Sequence, residues 1–375
     1  MNLCKTEATI SRSGADILRV LFETLVLIHH LFPTQTALGS HISTILGPMA
    51  VSGFLLLSGY GVGMNYKRKG ELYLNTLIKS RIPRTYGLIV FTNVCYLLLF
   101  FLTGKSFPSF FALLTSVLNA PIVSGSVTLS NWLYFLSDLM IYYLLFWLFM
   151  QLFEHRRDRL LHTAKTLLMF AISVACVLCL INITTGSTRY LRGCLAFPIG
   201  IFIAHYDGEL IKILSKFKYL IAGVLFIVAL ALSIAFIDQR FLFEYVINVM
   251  FSLSIVVLAF GFNPQNKWIK VASRHVIIVY LSHELFFKLL KYHRPDLSSY
   301  LIMLVTAACA ILFAVLWRKV LDEYKEKVLS ALLIGWVNTH AFFMGLKPKL
   351  LQSYAKLKPI VLGKINELIE AYNDF

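Results

Sequence analysis

The sequence predicts an all-α membrane protein, a bundle of about ten transmembrane helices with both termini in the cytoplasm. Three observations lead there. Only 14% of the 375 residues are charged while 58% are apolar, whereas a soluble domain carries about 25% charged residues. The apolar residues fall in repeated uncharged runs close to the ~20 residues that cross a hydrocarbon core. Lys and Arg gather in alternate junctions between those runs, the asymmetry that marks cytoplasmic loops. The net charge of +16 is therefore topological. It makes the lipid bilayer the partner surface and gives no reason to expect nucleic acid.

The spans are read at 17–32, 44–63, 85–103, 132–153, 164–182, 190–206, 218–237, 243–262, 274–291 and 299–317. The first keeps its charged residues and has no small-residue cleavage site after it, so it is read as a retained helix and not as a signal peptide. After the second span come Lys67, Arg68, Lys69, Lys79, Arg81 and Arg84. The next even-numbered junctions hold Arg156, Arg157 and Arg159, then Lys212, Lys216 and Lys218, then Lys267, Lys270 and Arg274. The opposite junctions are poor in basic residues: none in PTQTALGSH, Lys105 alone after the third span, then Arg189, Arg240, and Lys291 with Arg294.

Two apolar stretches are not read as spans. Residues 106–121 are short and bounded by Pro108 and Pro121, which suits a re-entrant or surface element. Residues 328–346 would, as an eleventh span, put Lys347, Lys349, Lys356, Lys358 and Lys364 outside, so an interfacial helix and an amphipathic tail are expected there. Cys176 and Cys179 form a CxxC inside an apolar run, where they read as buried small residues, and neither a metal site nor a disulfide framework is expected.

The first span, ILRVLFETLVLIHHLF, holds the polar residues that call for a reason. Ionisable groups inside a membrane are costly and mark functional sites. At about 100° per residue Arg19 and His30 differ by about 20° in direction, and Glu23 lies about 40° from Arg19, while His29 points about 80° away. Arg19, Glu23 and His30 therefore share a stripe that should face protein. Imidazole titrates near neutrality and suits a general base, and Glu23 is placed to pair with Arg19 at i,i+4.

Two further stretches carry alternatives. FLLLSGYGVGMNY (54–66) reads either as a small-residue packing face or as a niche lined by backbone beside the first helix. KSRIPRTYG (79–87) reads either as positive-inside charge or, with two arginines flanking a proline at a helix start, as a phosphate site. An acyl-coenzyme A donor would fit the second reading.

Taken in order, these motifs resemble the integral-membrane acyltransferase family 3, which O-acylates polysaccharides and other extracytoplasmic acceptors. Its R-x10-H first helix is matched by Arg19 and His30, which selects His30 over His29. Its F-x-L-S-G-F/Y motif resembles the stretch from Phe54 to Tyr60, with Ser58 and Gly59. Its R-x-x-R-x-Y-P element is met by Arg81, Arg84 and Tyr86, with Gly87 in place of the proline. A W-F-L…Y helix resembles Trp132, Phe135, Leu136 and Tyr143, although the paired glutamates of some members are absent and only Asp138 is nearby. An R…F-x-x-G helix resembles Arg192, Phe197 and Gly200. A Y-L-x-H element resembles Tyr280, Leu281 and His283, with Ser273 upstream.

The resemblance implies an acyltransferase domain over 1–320, followed at 321–375 by cytoplasmic or interfacial helices. It implies an acyl-coenzyme A-dependent O-acyltransferase, with acetyl-coenzyme A and a hydroxyl of a cell-surface or lipid-linked sugar as expected substrates, in a bacterial inner membrane. His30 takes the catalytic role. Arg19, Arg81 and Arg84 become donor-site or structural arginines, and Glu23 joins His30 on geometry. Ser58, Gly59, Tyr86, Trp132, Tyr143, Arg192 and His283 become pocket or structural positions, with packing and catalysis both open for His283. Acyl-coenzyme A enters as co-substrate, with no permanently bound cofactor and no metal expected. The rival reading is a transporter or flippase of lipid-linked glycans, in which Arg, Glu and His would form a relay. That class would show internal repeats or paired broken helices, and the sequence shows neither.

Overall fold

A computed structural model describes residues 10–30, 37–77, 81–104, 134–153, 195–236 and 240–319, together with isolated positions near 109–113 and 171–179. Trp132, Arg192, the side chain of Arg84, most of the stretch 106–121, most of the span read at 164–182, and the tail beyond 320 lie outside the described residues. Every regular element among the described residues is a helix. They are α1 (Arg12–His29), α2 (Ala37–Lys69), α3 (Glu71–Thr76), α4 (Ile82–Leu102), α5 (Tyr134–Phe153), α6 (Ala196–His205), α7 (Asp207–Ala235), α8 (Arg240–Leu258), α9 (Lys267–Ser273), α10 (Val276–His293) and α11 (Ser299–Lys319). The chain divides into two compact units, Met1–Ala310 and Ile311–Phe375.

Four stretches are long and apolar enough to cross a bilayer: Ile45–Lys69, Thr85–Leu102, Lys216–Ala235 and Ser299–Lys319. The protein is a membrane protein. Helix α1 is not among the four because Arg12, Asp16, Arg19 and Glu23 fall within its 18 residues. Its buried positions are supplied by the protein, not by lipid: Leu18, Phe22 and Val26 are packed in the core, and Asp16 and Glu23 are buried with them.

Several boundaries differ from the hydropathy reading, each for a local reason. Helix α1 starts five residues before position 17 because Ser11 caps it, accepting from the Gly14 amide at 2.9 Å. The Ser11 hydroxyl also donates to the Phe262 carbonyl at 2.8 Å. The helix stops at His29, with His30 as its C-cap, where the sequence reading had carried it to 32. Helix α2 runs well past 63, through Lys67, Arg68 and Lys69 to Gly70, whose φ of 54° ends the helix in a conformation glycine adopts without strain. The basic residues at that junction are thus helical. Helix α7 likewise begins at Asp207 and not near 218, carrying Lys212, Lys216 and Lys218 on its first turns.

Helix α2 is the central packing element. On one side a Cβ at Gly59 would overlap the Phe197 carbonyl of α6, and a Cβ at Gly200 of α6 would overlap the Leu56 carbonyl of α2. Backbone lies on backbone there, the arrangement that small residues permit in membranes. Elsewhere on α2 a Cβ at Gly53 would overlap the Phe22 ring of α1. Pro48 removes one backbone donor within α2, and next to it the Met49 carbonyl accepts from Ser252 of α8 at 2.7 Å. Gly59 and Gly63 therefore serve packing against α6, not α1, while an added Cβ at Gly61 would meet nothing within 4 Å.

Candidate active site

Helix α1 holds the site together because polar residues at its two ends meet different neighbours. At the N-terminal end Asp16 is buried, and its Oδ1 accepts from Arg19 Nη1 at 3.1 Å and from the Ser273 hydroxyl of α9 at 2.9 Å. Helix α9 is fixed for this by Asn266, whose side-chain oxygen accepts from the Trp268 and Ile269 amides. Arg19 thus pairs with Asp16 at i,i+3, and the expected i,i+4 pair with Glu23 is not formed. Both Glu23 carboxylate oxygens are buried without a hydrogen-bond partner among the described residues. Asp16 lies one turn before Arg19 and Glu23 one turn after it.

Arg12 and Arg81 both lie close enough to Arg19 to act on it electrostatically. Arg81 stands at the N-cap of α4, with its carbonyl accepting from the Thr85 hydroxyl at 3.0 Å. Tyr73 of α3, outside the membrane spans, is buried within electrostatic range of the same arginine. Burial pushes its phenol up to about 12, so it stays neutral. This end of α1 is rich in guanidinium groups, the side chain best shaped to bind phosphate.

At the other end of α1 the rings of the two adjacent histidines meet edge to face, 4.6 Å between centroids, and each has a different further neighbour. A Cβ at Gly47 would meet the His29 ring at 3.1 Å, so His29 lies against α2. His30 turns toward α10, and its Nε2 stands 3.3 Å from His283 Nε2. His283 is buried, with Nδ1 3.3 Å from the Val279 carbonyl oxygen. Phe287, one turn further along α10, lies with its ring centroid 6.1 Å from that of His30.

The two histidines end a path of rings drawn from four helices. Phe54 of α2 meets Phe135 of α5 at 6.0 Å and Tyr280 of α10 at 6.2 Å between centroids. Phe135 meets Tyr280 at 5.5 Å, Tyr280 meets His283 at 5.8 Å, and His283 meets His30 at 5.2 Å. Residues more than 250 positions apart in sequence are brought together here.

Other sequence-selected residues occupy structural positions. Tyr143 packs on Phe197 at 6.0 Å between centroids, and Tyr142 stacks on the same ring at 4.8 Å. The Tyr60 hydroxyl accepts from the Ile10 amide at 3.1 Å, tying the entry of α1 to α2. Gly59 and Gly200 are the close approach of α2 and α6. Ser58 on α2 and Tyr86 on α4 are half-buried. The sequence reading gave Asp16 no role, although its i,i+3 spacing to Arg19 was the available signal.

One ligand atom from each of His30, His283 and Glu284 lies within 4.8 Å of the others. These three could accommodate a cation. Glu284 also stands 3.7 Å from Lys288 in an i,i+4 pair, which already supplies it with positive charge.

A family model described as an acyltransferase domain matches residues 12–320. No curated protein and no solved structure matches the chain.

Proposed function

The chain belongs to acyltransferase family 3, and from that premise we propose that it is a membrane O-acyltransferase moving an acyl group from acyl-coenzyme A to a sugar hydroxyl. Acetyl is the acyl group we favour, and a cell-surface or lipid-linked glycan the acceptor. The observation that carries the reading is the arrangement along α1. Guanidinium groups gather at its N-terminal end, and a histidine held by protein contacts sits at its C-terminal end.

Eleven residues separate Arg19 from His30, about 16 Å at 1.5 Å per residue. A coenzyme A thioester is long and thin, with phosphates at one end and the reactive carbonyl at the other. Phosphates near Arg19 and Arg81 would let the pantetheine arm reach the His30 end. The basic junctions place the arginine end on the cytoplasmic side, where acyl-coenzyme A is made, and His30 toward the opposite side. A multi-pass position in a bacterial inner membrane is suggested by the family alone.

The reaction divides simply. His30 takes the proton from the acceptor hydroxyl as its oxygen attacks the thioester carbonyl. The tetrahedral adduct collapses, the C–S bond breaks, and the proton on His30 passes to the departing thiolate. An O-acyl ester and free coenzyme A are the products. A positioned general base contributes about 10²- to 10⁴-fold in rate.

Transfer of labelled acetyl from acetyl-coenzyme A, in membranes holding equal amounts of wild type, His30→Ala and His29→Ala, tests this. Product is expected from wild type and His29→Ala, with a fall of about 10²- to 10⁴-fold in His30→Ala. Equal product from His30→Ala would remove the base. Product only when donor is supplied to the outer face would overturn the cross-membrane route.

A further inference from the structure

The second nitrogen of each imidazole decides how two facing imidazoles share a proton. His283 Nδ1 lies 3.3 Å from the Val279 carbonyl oxygen, one turn earlier on α10. A carbonyl only accepts, so Nδ1 carries the hydrogen and donates. A neutral imidazole has one N–H, which leaves the lone pair of His283 on Nε2. That atom faces His30 Nε2 at 3.3 Å, and His30 Nε2–H must be the donor between them. His30 then has its lone pair on Nδ1.

We propose that His283 is a positioning residue that fixes the tautomer and ring orientation of His30, so that Nδ1 is the atom that receives the acceptor proton. The inference rests on His30 being the general base. In the forward step the O–H bond of the acceptor breaks and an Nδ1–H bond forms. The Nε2–H of the resulting imidazolium stays donated to His283 Nε2, whose lone pair stabilises the new positive charge. When the C–S bond breaks, the Nδ1 proton moves to sulfur and His30 returns to its starting tautomer. His283 neither gains nor loses a proton at any point. It acts as a neutral orienting group where many catalytic histidines use a carboxylate.

The surroundings support this assignment. His283 is buried at 2% exposure and sits on a helix, so its ring is held by packing. The neighbouring titratable groups are His29 on α1, whose ring meets that of His30 at 4.6 Å between centroids, and Tyr280 and Glu284 on α10. His29 lies against Gly47 of α2, and Glu284 pairs with Lys288.

The test uses the whole purified protein in lipid nanodiscs. With ¹⁵N-labelled histidine, wild type should show His30 protonated at Nε2 and bare at Nδ1, assigned by comparison with His30→Ala. The opposite tautomer overturns the proposal, and this reading does not depend on any His283 variant folding. In kinetics, His283→Leu should lower kcat by roughly 10- to 100-fold, a part of the whole general-base contribution, with both KM values within about twofold. His283→Gln, whose amide oxygen can accept from His30, should recover most of that loss. His30→Ala/His283→Leu should be no slower than His30→Ala, because residues acting as one unit are not additive.

An added loss in the double variant, or wild-type kcat in His283→Leu, overturns the positioning role while leaving the base in place. Full activity in His30→Ala overturns the base itself and is read separately. Stoichiometric zinc in the purified wild type, lost in His283→Leu, would make the pair metal ligands and would also overturn the proposal, since two imidazoles on one zinc have a similar N–N separation.

Discussion

The ring of His29 lies against Gly47 while that of His30 faces His283, so two chemically identical neighbours on α1 have different further contacts. The roughly 100° step between successive helical residues was enough to tell them apart in sequence. It was not enough to find His30's partner, which lies on α10. Glu23 shows the reverse. It was legible as a costly residue in an apolar helix, yet its expected partner Arg19 is held by Asp16, and its own oxygens have no hydrogen-bond partner among the described residues. An unsatisfied buried polar group costs about 1–3 kcal/mol, and a same-shaped apolar replacement removes that cost. Glu23→Met is therefore expected to raise the thermal midpoint in detergent and to lower acetyl transfer, measured on the same preparation. A raised midpoint with full activity would show Glu23 to be dispensable to the reaction. At the other end, Arg19→Gln is expected to raise the KM for acyl-coenzyme A by roughly tenfold, the loss of about one charge-assisted hydrogen bond, with acceptor KM unchanged in steady-state kinetics.

Among the elements, α2 and α6 make the closest approach, and it depends on glycines that the sequence could only mark as small. Gly59→Ala would drive a methyl group into the Phe197 carbonyl, which is backbone and cannot turn aside. Overpacking of this kind costs roughly 1–3 kcal/mol, and the detergent midpoint should fall. Gly61, two residues on, has nothing within 4 Å of an added Cβ. Gly61→Ala should be tolerated or stabilising by up to about 1 kcal/mol through helix propensity. If both variants melt together, the α2–α6 approach is not tight. Helix α9 offers a different measurement. Asn266 caps it, and its last residue Ser273 reaches Asp16. Asn266→Ala removes a cap worth about 0.5–2 kcal/mol, and faster amide exchange over 267–273 is the expected readout. These caps are readable once a helix start is known, but α9 lay inside a junction that the charge rule had marked only as basic.

For the whole molecule, the alternating basic junctions predict which residues face the cytoplasm. A cysteine placed at Lys67 should be protected from a membrane-impermeant maleimide in intact cells, and one placed at Arg294 should be labelled. The background must lack all six native cysteines, Cys4, Cys95, Cys176, Cys179, Cys194 and Cys309. The reverse pattern would invert the orientation and, with it, the side from which the donor enters. Arg294 is suited to the experiment because it lies in the exposed turn after α10, bonded to Asp296 at 2.9 and 3.0 Å.

The sequence by itself determined the helical class, the membrane setting and the identity of the polar residues worth following. Hydropathy, charge asymmetry and helical spacing are properties of neighbouring residues, and they survive without a fold. Only the tertiary structure decided that Asp16, not Glu23, holds Arg19, that Gly59 faces α6, and that His30 meets His283. Each of those depends on which helices pack together. In a bilayer that choice rests on the shape and hydrogen bonding of distant surfaces, because lipid is as apolar as the helices it surrounds.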